Sequence, residues 1–268
     1  MTRSRALAMV VVVLAGLVAG CSGVDSNRQP SVPPDAVEKA ASSPQVAVVV
    51  NASAPRDDLL GSAKCGGTLV GPSMVLTARH CIGDLNPAKL DVVIGVENIC
   101  RTAEVRGERI RVSAVKTAQP DTLDAAVLVL SQPAKTPPLA VFTAPEKETG
   151  PYVAVGWGST GRSPTSCHRQ TVELTAGAHD ACESGRKTAP RWASSTQFCG
   201  VPVAGADRNT CSGDSGGPVL HLDGDTATLF AMVNWGTGCG VRDVGFYTRL
   251  DNLRPWLAAT EKLIAAQG

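Results

Sequence analysis

Gly213-Asp214-Ser215-Gly216-Gly217-Pro218 is the stretch on which the reading of this 268-residue chain turns. It sets a serine among glycines, in a loop whose backbone can approach another molecule closely. Upstream stand Thr77-Ala78-Arg79-His80-Cys81 and Leu123-Asp124-Ala125-Ala126-Val127-Leu128, so a histidine and then an aspartate precede the serine. A serine hydroxyl is a poor nucleophile at neutral pH. It becomes reactive when an imidazole takes its proton and a carboxylate holds that imidazole in the useful tautomer. Ser215 is therefore the candidate nucleophile, His80 the candidate general base and Asp124 the group that orients it.

The order His, Asp, Ser differs from the orders used by subtilisin-like and α/β-hydrolase enzymes. Further landmarks flank these residues: Cys65-Gly66-Gly67-Thr68-Leu69-Val70 before the histidine, Gly156-Trp157-Gly158 midway, and Asn234-Trp235-Gly236-Thr237-Gly238-Cys239 after the serine. In these residues, over roughly Pro44 to the C-terminus, the chain resembles the chymotrypsin/trypsin family of serine proteases. The resemblance implies an all-β fold, two packed six-stranded antiparallel β-barrels with the active site between them and a C-terminal helix. It also implies an oxyanion hole formed by the backbone N–H groups of Gly213 and Ser215, each donor worth roughly 3 kcal/mol of transition-state stabilisation.

The resemblance further implies a substrate-binding set of Asn209, Asn234, Trp235, Gly236 and Gly245. Asn209, six residues before the nucleophile, stands at the expected base of the side-chain pocket, with Gly236 and Gly245 as its walls. A neutral amide there, in place of an aspartate, argues against cleavage after Arg or Lys and for a roomy pocket taking an uncharged side chain. Asn234 occupies the place of a family serine that helps hold the catalytic aspartate, and an amide can also donate to a carboxylate. Arg79 stands beside His80 where the family usually has alanine.

Nine cysteines is an odd number. By resemblance, three pairs are expected: Cys65 with Cys81, Cys182 with Cys199, and Cys211 with Cys239. Cys100 and Cys167 are expected to bond to each other, because in the family fold the loop after the fourth strand lies near the loop after Gly156-Trp157-Gly158. A Cα separation above about 7 Å would defeat that pairing. Cysteines paired in this way belong to an oxidising compartment.

The remaining cysteine, Cys21, closes an N-terminal segment that begins with Arg3 and Arg5 and continues through an apolar stretch from Ala6 to Val18. This is the layout of a secretory signal peptide over residues 1–20. Val18-Ala19-Gly20-Cys21 resembles a bacterial lipobox, so lipidation of Cys21 and a lipid anchor on the outer face of the membrane are expected. The apolar stretch falls short of the ~20 residues that span a bilayer. Residues 22–43, rich in Ser, Pro and charge, read as a flexible tether, and the catalytic-type domain is expected over 44–268.

Short apolar runs at Gln45–Val50, Met74–Thr77, Leu90–Val96, Ala125–Leu130, Tyr152–Val155 and Thr228–Val233, separated by Gly, Pro and Asp, read as strands. Leu253, Trp256, Leu257 and Leu263 have helical spacing within Leu250–Ala266. A formal net charge of +1, without a basic run interleaved with aromatics, argues against nucleic-acid binding. The four histidines are scattered, so neither a metal site nor a cofactor is expected. The expected partner is a protein or peptide substrate, and the chain is expected to be a monomer.

One departure bears on activity. Processed members of the family begin with a motif like Ile-Val-Gly-Gly whose free amine pairs with the aspartate before the nucleophile, and none occurs between Cys21 and Gln45. Asp214 then needs an unusual processed end, an internal Arg or Lys, or a rearranged loop, since a buried carboxylate without a partner is costly. A membrane-tethered serine endopeptidase is the leading reading. A catalytically silent binding protein at the cell surface is the alternative, and an esterase for small acyl substrates a weaker third.

Overall fold

The computed structural model describes residues 32–83, 86–100, 106–141, 152–161, 165–187, 195–224 and 226–267. The expected signal peptide, Cys21 and the first part of the expected tether lie outside these residues. Twelve strands form two closed antiparallel barrels, as the resemblance implied. The first joins β1 (Val46–Asn51), β2 (Ala63–Gly71), β3 (Met74–Ala78), β6 (Ala125–Leu130), β5 (Glu108–Thr117) and β4 (Leu90–Ile94), in that order around the barrel. The second joins β10 (Pro218–Asp223), β11 (Thr226–Gly236), β12 (Gly245–Arg249), β9 (Gln197–Pro202), β8 (Gln170–Ala176) and β7 (Tyr152–Gly156).

Successive strand residues point to opposite faces, and here both faces are buried. In β1, Ala47 and Val49 fill the interior of the first barrel with Leu69, Val75, Leu90 and Leu128. Val46, Val48 and Val50 face the other way and join a second core shared with the interior of the second barrel. β1 and β6 therefore read as unbroken apolar runs, whereas β5 keeps polar residues on a partly exposed face, and the face between the barrels is itself hydrophobic core. In the second barrel Tyr152 stacks on Phe230 at 4.1 Å between ring centroids, with Phe198 edge-on to both.

All four expected disulfides are present: Cys65–Cys81, Cys100–Cys167, Cys182–Cys199 and Cys211–Cys239. Cys100 and Cys167 have Cα atoms 5.0 Å apart, inside the range a disulfide spans. This bond crosses between the barrels. It is flanked by backbone hydrogen bonds from Ile99 N–H to Cys167 O, 2.9 Å, and from Arg169 N–H to Glu97 O, 2.8 Å.

Two expectations need correction. The tether does not run free to Ser43, because Pro34–Ala41 forms a helix, α1, packed against β7, β8 and β10. Pro34 and Asp35 start it and Lys39 lies in its last turn, where each suits the backbone dipole. Ala40 is fully buried and Ala36 and Val37 pack on the shared core, a spacing that one helical face collects. The C-terminal helix, now α3 because α2 spans His179–Arg186, runs Arg254–Ala265 with Pro255 in its first turn. Leu253, Leu257, Thr260 and Ile264 form its inner face, and Leu263, expected inside, is 56% exposed.

Candidate active site

Strand register brings the histidine and the aspartate together. β3 pairs with β6 so that Ala78 lies opposite Ala125, which puts the residues that follow β3 beside the residue that precedes β6. Arg79 N–H donates to Asp124 O at 2.9 Å across this edge. β3 then enters a 3-10 turn, Arg79–Cys81, which the Cys65–Cys81 bond holds against β2. Asp124 ends another 3-10 turn, Asp121–Leu123, with φ of 45°, a left-handed conformation that aspartate tolerates better than most residues. Its carboxyl meets His80 twice: Oδ1 accepts the backbone N–H at 2.9 Å and Oδ2 lies 2.7 Å from Nδ1. A carboxylate only accepts, so Nδ1 carries a proton, and in the neutral imidazole Nε2 is then the acceptor.

Ser215 comes from the second barrel, on the turn between Cys211 and β10. Within that turn, Asp214 N–H donates to Cys211 O at 3.0 Å, Gly216 N–H to Val233 O at 2.7 Å and Gly217 N–H to Asp214 O at 2.9 Å. Among the described residues, the N–H groups of Gly213 and Ser215 donate to nothing. Two unspent donors thus alternate with spent ones, and Gly213 reaches this geometry at φ of 99°, which a side chain would resist. Gly66 N–H in β2 donates to Ser215 O at 2.8 Å and ties the turn to the first barrel. Ser215 Oγ donates to Asn234 O at 3.4 Å, and no hydrogen bond joins it to the His80 ring.

His80, Asp124 and Ser215 border one open cleft of about 840 Å³. Asn234, Trp235 and Gly236 border it too, with Gly238 of the same stretch and with Thr210 and Gln197, which carried no signal of their own in the sequence. Asn209 and Gly245 do not. Asn209 is 2% exposed and its amide is occupied: Nδ2 donates to Asp243 O at 2.8 Å, and Oδ1 accepts from Thr210 N–H at 2.8 Å and from Tyr247 Oη at 3.3 Å. Its neighbour Thr210 does border the cleft, with its hydroxyl 3.0 Å from Tyr247 Oη. Tyr247 is buried, which pushes its phenol well up from the usual range, and Asp214 adds to the shift.

Asn234 does not reach Asp124. Its Nδ2 donates to Thr248 Oγ1 at 2.9 Å, and Thr248 Oγ1 donates to Leu123 O at 3.1 Å. The residue before the aspartate is thus held from β11 and β12 through one buried hydroxyl, a role no sequence motif announces. Arg79 forms an ion pair with Asp121 at the cleft rim. Cys65 and Cys81 lie beside His80, but each is bonded to the other and offers no thiolate to a metal.

Asp214 faces away from the cleft. Its Oδ1 accepts Gly158 N–H at 2.7 Å and its Oδ2 accepts Cys211 N–H at 2.9 Å. Gly156 and Gly158 are small because the carboxyl occupies the space: a Cβ on either would overlap its oxygens. Burial pushes this carboxyl up from the usual carboxylate range, while the N–H donors of Cys211 and Gly158 and the Arg208 charge pull it down.

A family model described as trypsin matches residues 36–257. A trypsin from Saccharopolyspora erythraea is 31% identical over 188 residues, covering 67% of this chain and 78% of that protein. A trypsin-like protease from Streptomyces glaucescens is 28% identical over 70% of this chain and 71% of its own length. Glucanase inhibitor protein 2 from Phytophthora infestans is 30% identical over 75% of this chain and 80% of its own length.

Proposed function

Because the chain belongs to the trypsin family of serine proteases, we propose that it is an exported endopeptidase acting through an acyl-enzyme on Ser215. The observation that carries this reading is the two-point bond between His80 and Asp124, facing Ser215 across one cleft. His80 Nε2 takes the proton from Ser215 Oγ as Oγ bonds to the substrate carbonyl carbon. The C=O electron pair moves to oxygen, where the unspent N–H groups of Gly213 and Ser215 receive the charge. Collapse breaks the C–N bond, and His80 returns the proton to the leaving amine. Water then attacks the ester with His80 again as base, releasing the acid and restoring the serine.

The cleft wall beyond Ser215 is formed by Thr210, Ser212, Val233, Trp235 and Gly236, none of them charged. This supports preference for an uncharged side chain before the cleaved bond. The Arg-flanked apolar segment ending at Cys21 supports export and lipid anchoring, with the domain held at the outer face of the membrane as a monomer.

The test is mass spectrometry of the full chain after reaction with a fluorophosphonate. One adduct on Ser215, absent from Ser215→Ala, is expected; a wild type that stays unmodified would overturn the reading. A second reading, a catalytically silent binding protein, is favoured by the seating of Ser215 Oγ on Asn234 O and by the similarity to proteins named as glucanase inhibitors. It requires the unmodified outcome.

A further inference from the structure

Gln197 opens β9 and borders the same cleft as Ser215. Although it is 3% exposed, its amide makes no hydrogen bond with any described residue. Oε1 is buried without a donor, and Nε2 has no acceptor, so turning the amide over exchanges the two ends and satisfies neither. Across the ladder Gln197 faces Thr248, whose hydroxyl is already engaged: it accepts from Asn234 Nδ2 at 2.9 Å and donates to Leu123 O at 3.1 Å. A polar group taken out of water costs free energy unless it is paired. An unpaired amide on the wall of a cleft is therefore a place for a ligand to hydrogen-bond.

A second open group borders the cleft. Trp235 stacks on Phe246 at 3.9 Å between ring centroids, and its buried Nε1–H has no acceptor among the described residues. An indole N–H only donates, whereas the Gln197 amide both donates and accepts. An ammonium group can meet Gln197 Oε1 but neither donor, and a carboxylate can meet the donors but not Oε1. A carboxamide carries an acceptor and a donor on one planar group and can serve both. The charges nearby are already matched, since Arg79 and Asp121, the cleft-lining charges besides His80 and Asp124, pair with each other. Through Thr248 and Leu123, Gln197 belongs to the part of the cleft beside the Asp121–Leu123 turn, apart from the Thr210–Ser212 wall that leads along the chain to Ser215.

We propose that Gln197, together with the Trp235 N–H, is a specificity-determining residue that selects a carboxamide side chain, Asn or Gln, at a peptide position other than the one preceding the cleaved bond. The proposal rests on the peptidase reading for its cleavage readout, and has two readouts that do not.

The experiment measures kcat/KM of the wild type, Gln197→Met and Trp235→Phe on internally quenched peptides in which each position is scanned with Gln, Asn, Met and Leu. Met and Leu match Gln and Asn in shape but lack the amide. At one such position the wild type is expected to favour the carboxamide over its apolar match by roughly tenfold or more, the penalty of leaving the site's polar groups unpaired. Gln197→Met should erase or invert that ratio, and Trp235→Phe should reduce it. Melting temperature is the second readout: with no internal partner to lose, Gln197→Met should melt at or above the wild type. The absence of such a position, a ratio that survives Gln197→Met, or a Gln197→Met chain that melts lower overturns the proposal.

If the wild type cleaves no peptide and takes no fluorophosphonate label, the peptidase reading fails by itself and the subsite is read from binding. Ser215→Ala is then titrated with the same sequences lacking fluorophore and quencher, followed by tryptophan fluorescence. Gln or Asn peptides are expected to bind roughly tenfold tighter than their apolar matches, a difference lost when Gln197→Met is added. Equal affinities, or no binding, overturn the proposal.

Discussion

Replacing Cys100 and Cys167 together by alanine removes the disulfide between the two barrels while leaving both barrels whole. The bond closes 67 residues of chain, and the loop-entropy relation assigns such a closure about 4 kcal/mol. Cys182–Cys199 lies within the second barrel, closes 17 residues and is assigned about 3 kcal/mol by the same relation. The measurement is the urea midpoint of the wild type and of both double-alanine variants under non-oxidising handling. With a slope of about 2–3 kcal/mol per M, loss of the inter-barrel bond should lower the midpoint by roughly 1.5 M and loss of the local bond by roughly 1 M. The order matters more than either value. A larger shift for Cys182–Cys199, or a shift under roughly 0.5 M for Cys100–Cys167, would refute the entropic reasoning. The shared core between the barrels, with the backbone bonds Ile99–Cys167 and Arg169–Glu97, would then suffice to hold them together.

Thr248→Val keeps the shape of the hydroxyl relay but leaves Asn234 Nδ2 and Leu123 O without their partner, so calorimetry should show a loss of about 1–3 kcal/mol. Fluorophosphonate labelling should slow in the same variant, because the turn carrying Asp124 is no longer held from the second barrel. Gly158→Ala puts a methyl into the Asp214 carboxyl and should cost about 1–3 kcal/mol, with loss of labelling that Trp157 substitutions of equal destabilisation do not reproduce. His221 has its pKa pulled below the ordinary value of 6.5 by burial. The unfolded chain then binds the proton more readily, so this residue's contribution is complete above pH 6.5 and is lost as pH falls through the folded value. Melting curves of His221→Gln and the wild type should therefore shift in favour of the variant on acidification, and a constant difference would rule this out.

The barrel strands were legible where apolar runs are long, as in Val46–Val50 and Ala125–Leu130. Their packing was not, because burial on both faces erases the alternation that would tell interior from exterior. The two-barrel arrangement came from the residues around His80, Asp124 and Ser215, and the register Ala78–Ala125 is the physical reason those segments meet. Helix α1 was hidden by composition: Ser, Pro and charge suggested loose chain, although Pro34, Asp35 and the spacing of Ala36, Val37 and Ala40 were helix signals. Leu263 had the spacing of an inner residue, but the inner face runs through Thr260, which a search for apolar residues passes over, to Ile264. Asn209 misled because position along the chain does not say where an amide points; neighbours on β12 and its preceding loop engage every part of it. Thr248 was invisible for the opposite reason: its importance lies in two partners distant in sequence.

The inter-barrel bond also divides the cysteines unevenly. Residues 46–130, the first barrel and its loops, contain Cys65, Cys81 and Cys100, whereas Cys167, Cys182, Cys199, Cys211 and Cys239 follow. During synthesis the first barrel can close its own ladder and its own Cys65–Cys81 bond, yet it must wait with Cys100 reduced until Cys167 emerges. A chain broken off between the barrels is left with Cys100 unable to reach its partner. In an oxidising compartment such a fragment is marked at Cys100 for dimerisation or capture by a thiol reagent, and in the finished molecule that cysteine, joined to Cys167, is silent to the same probe.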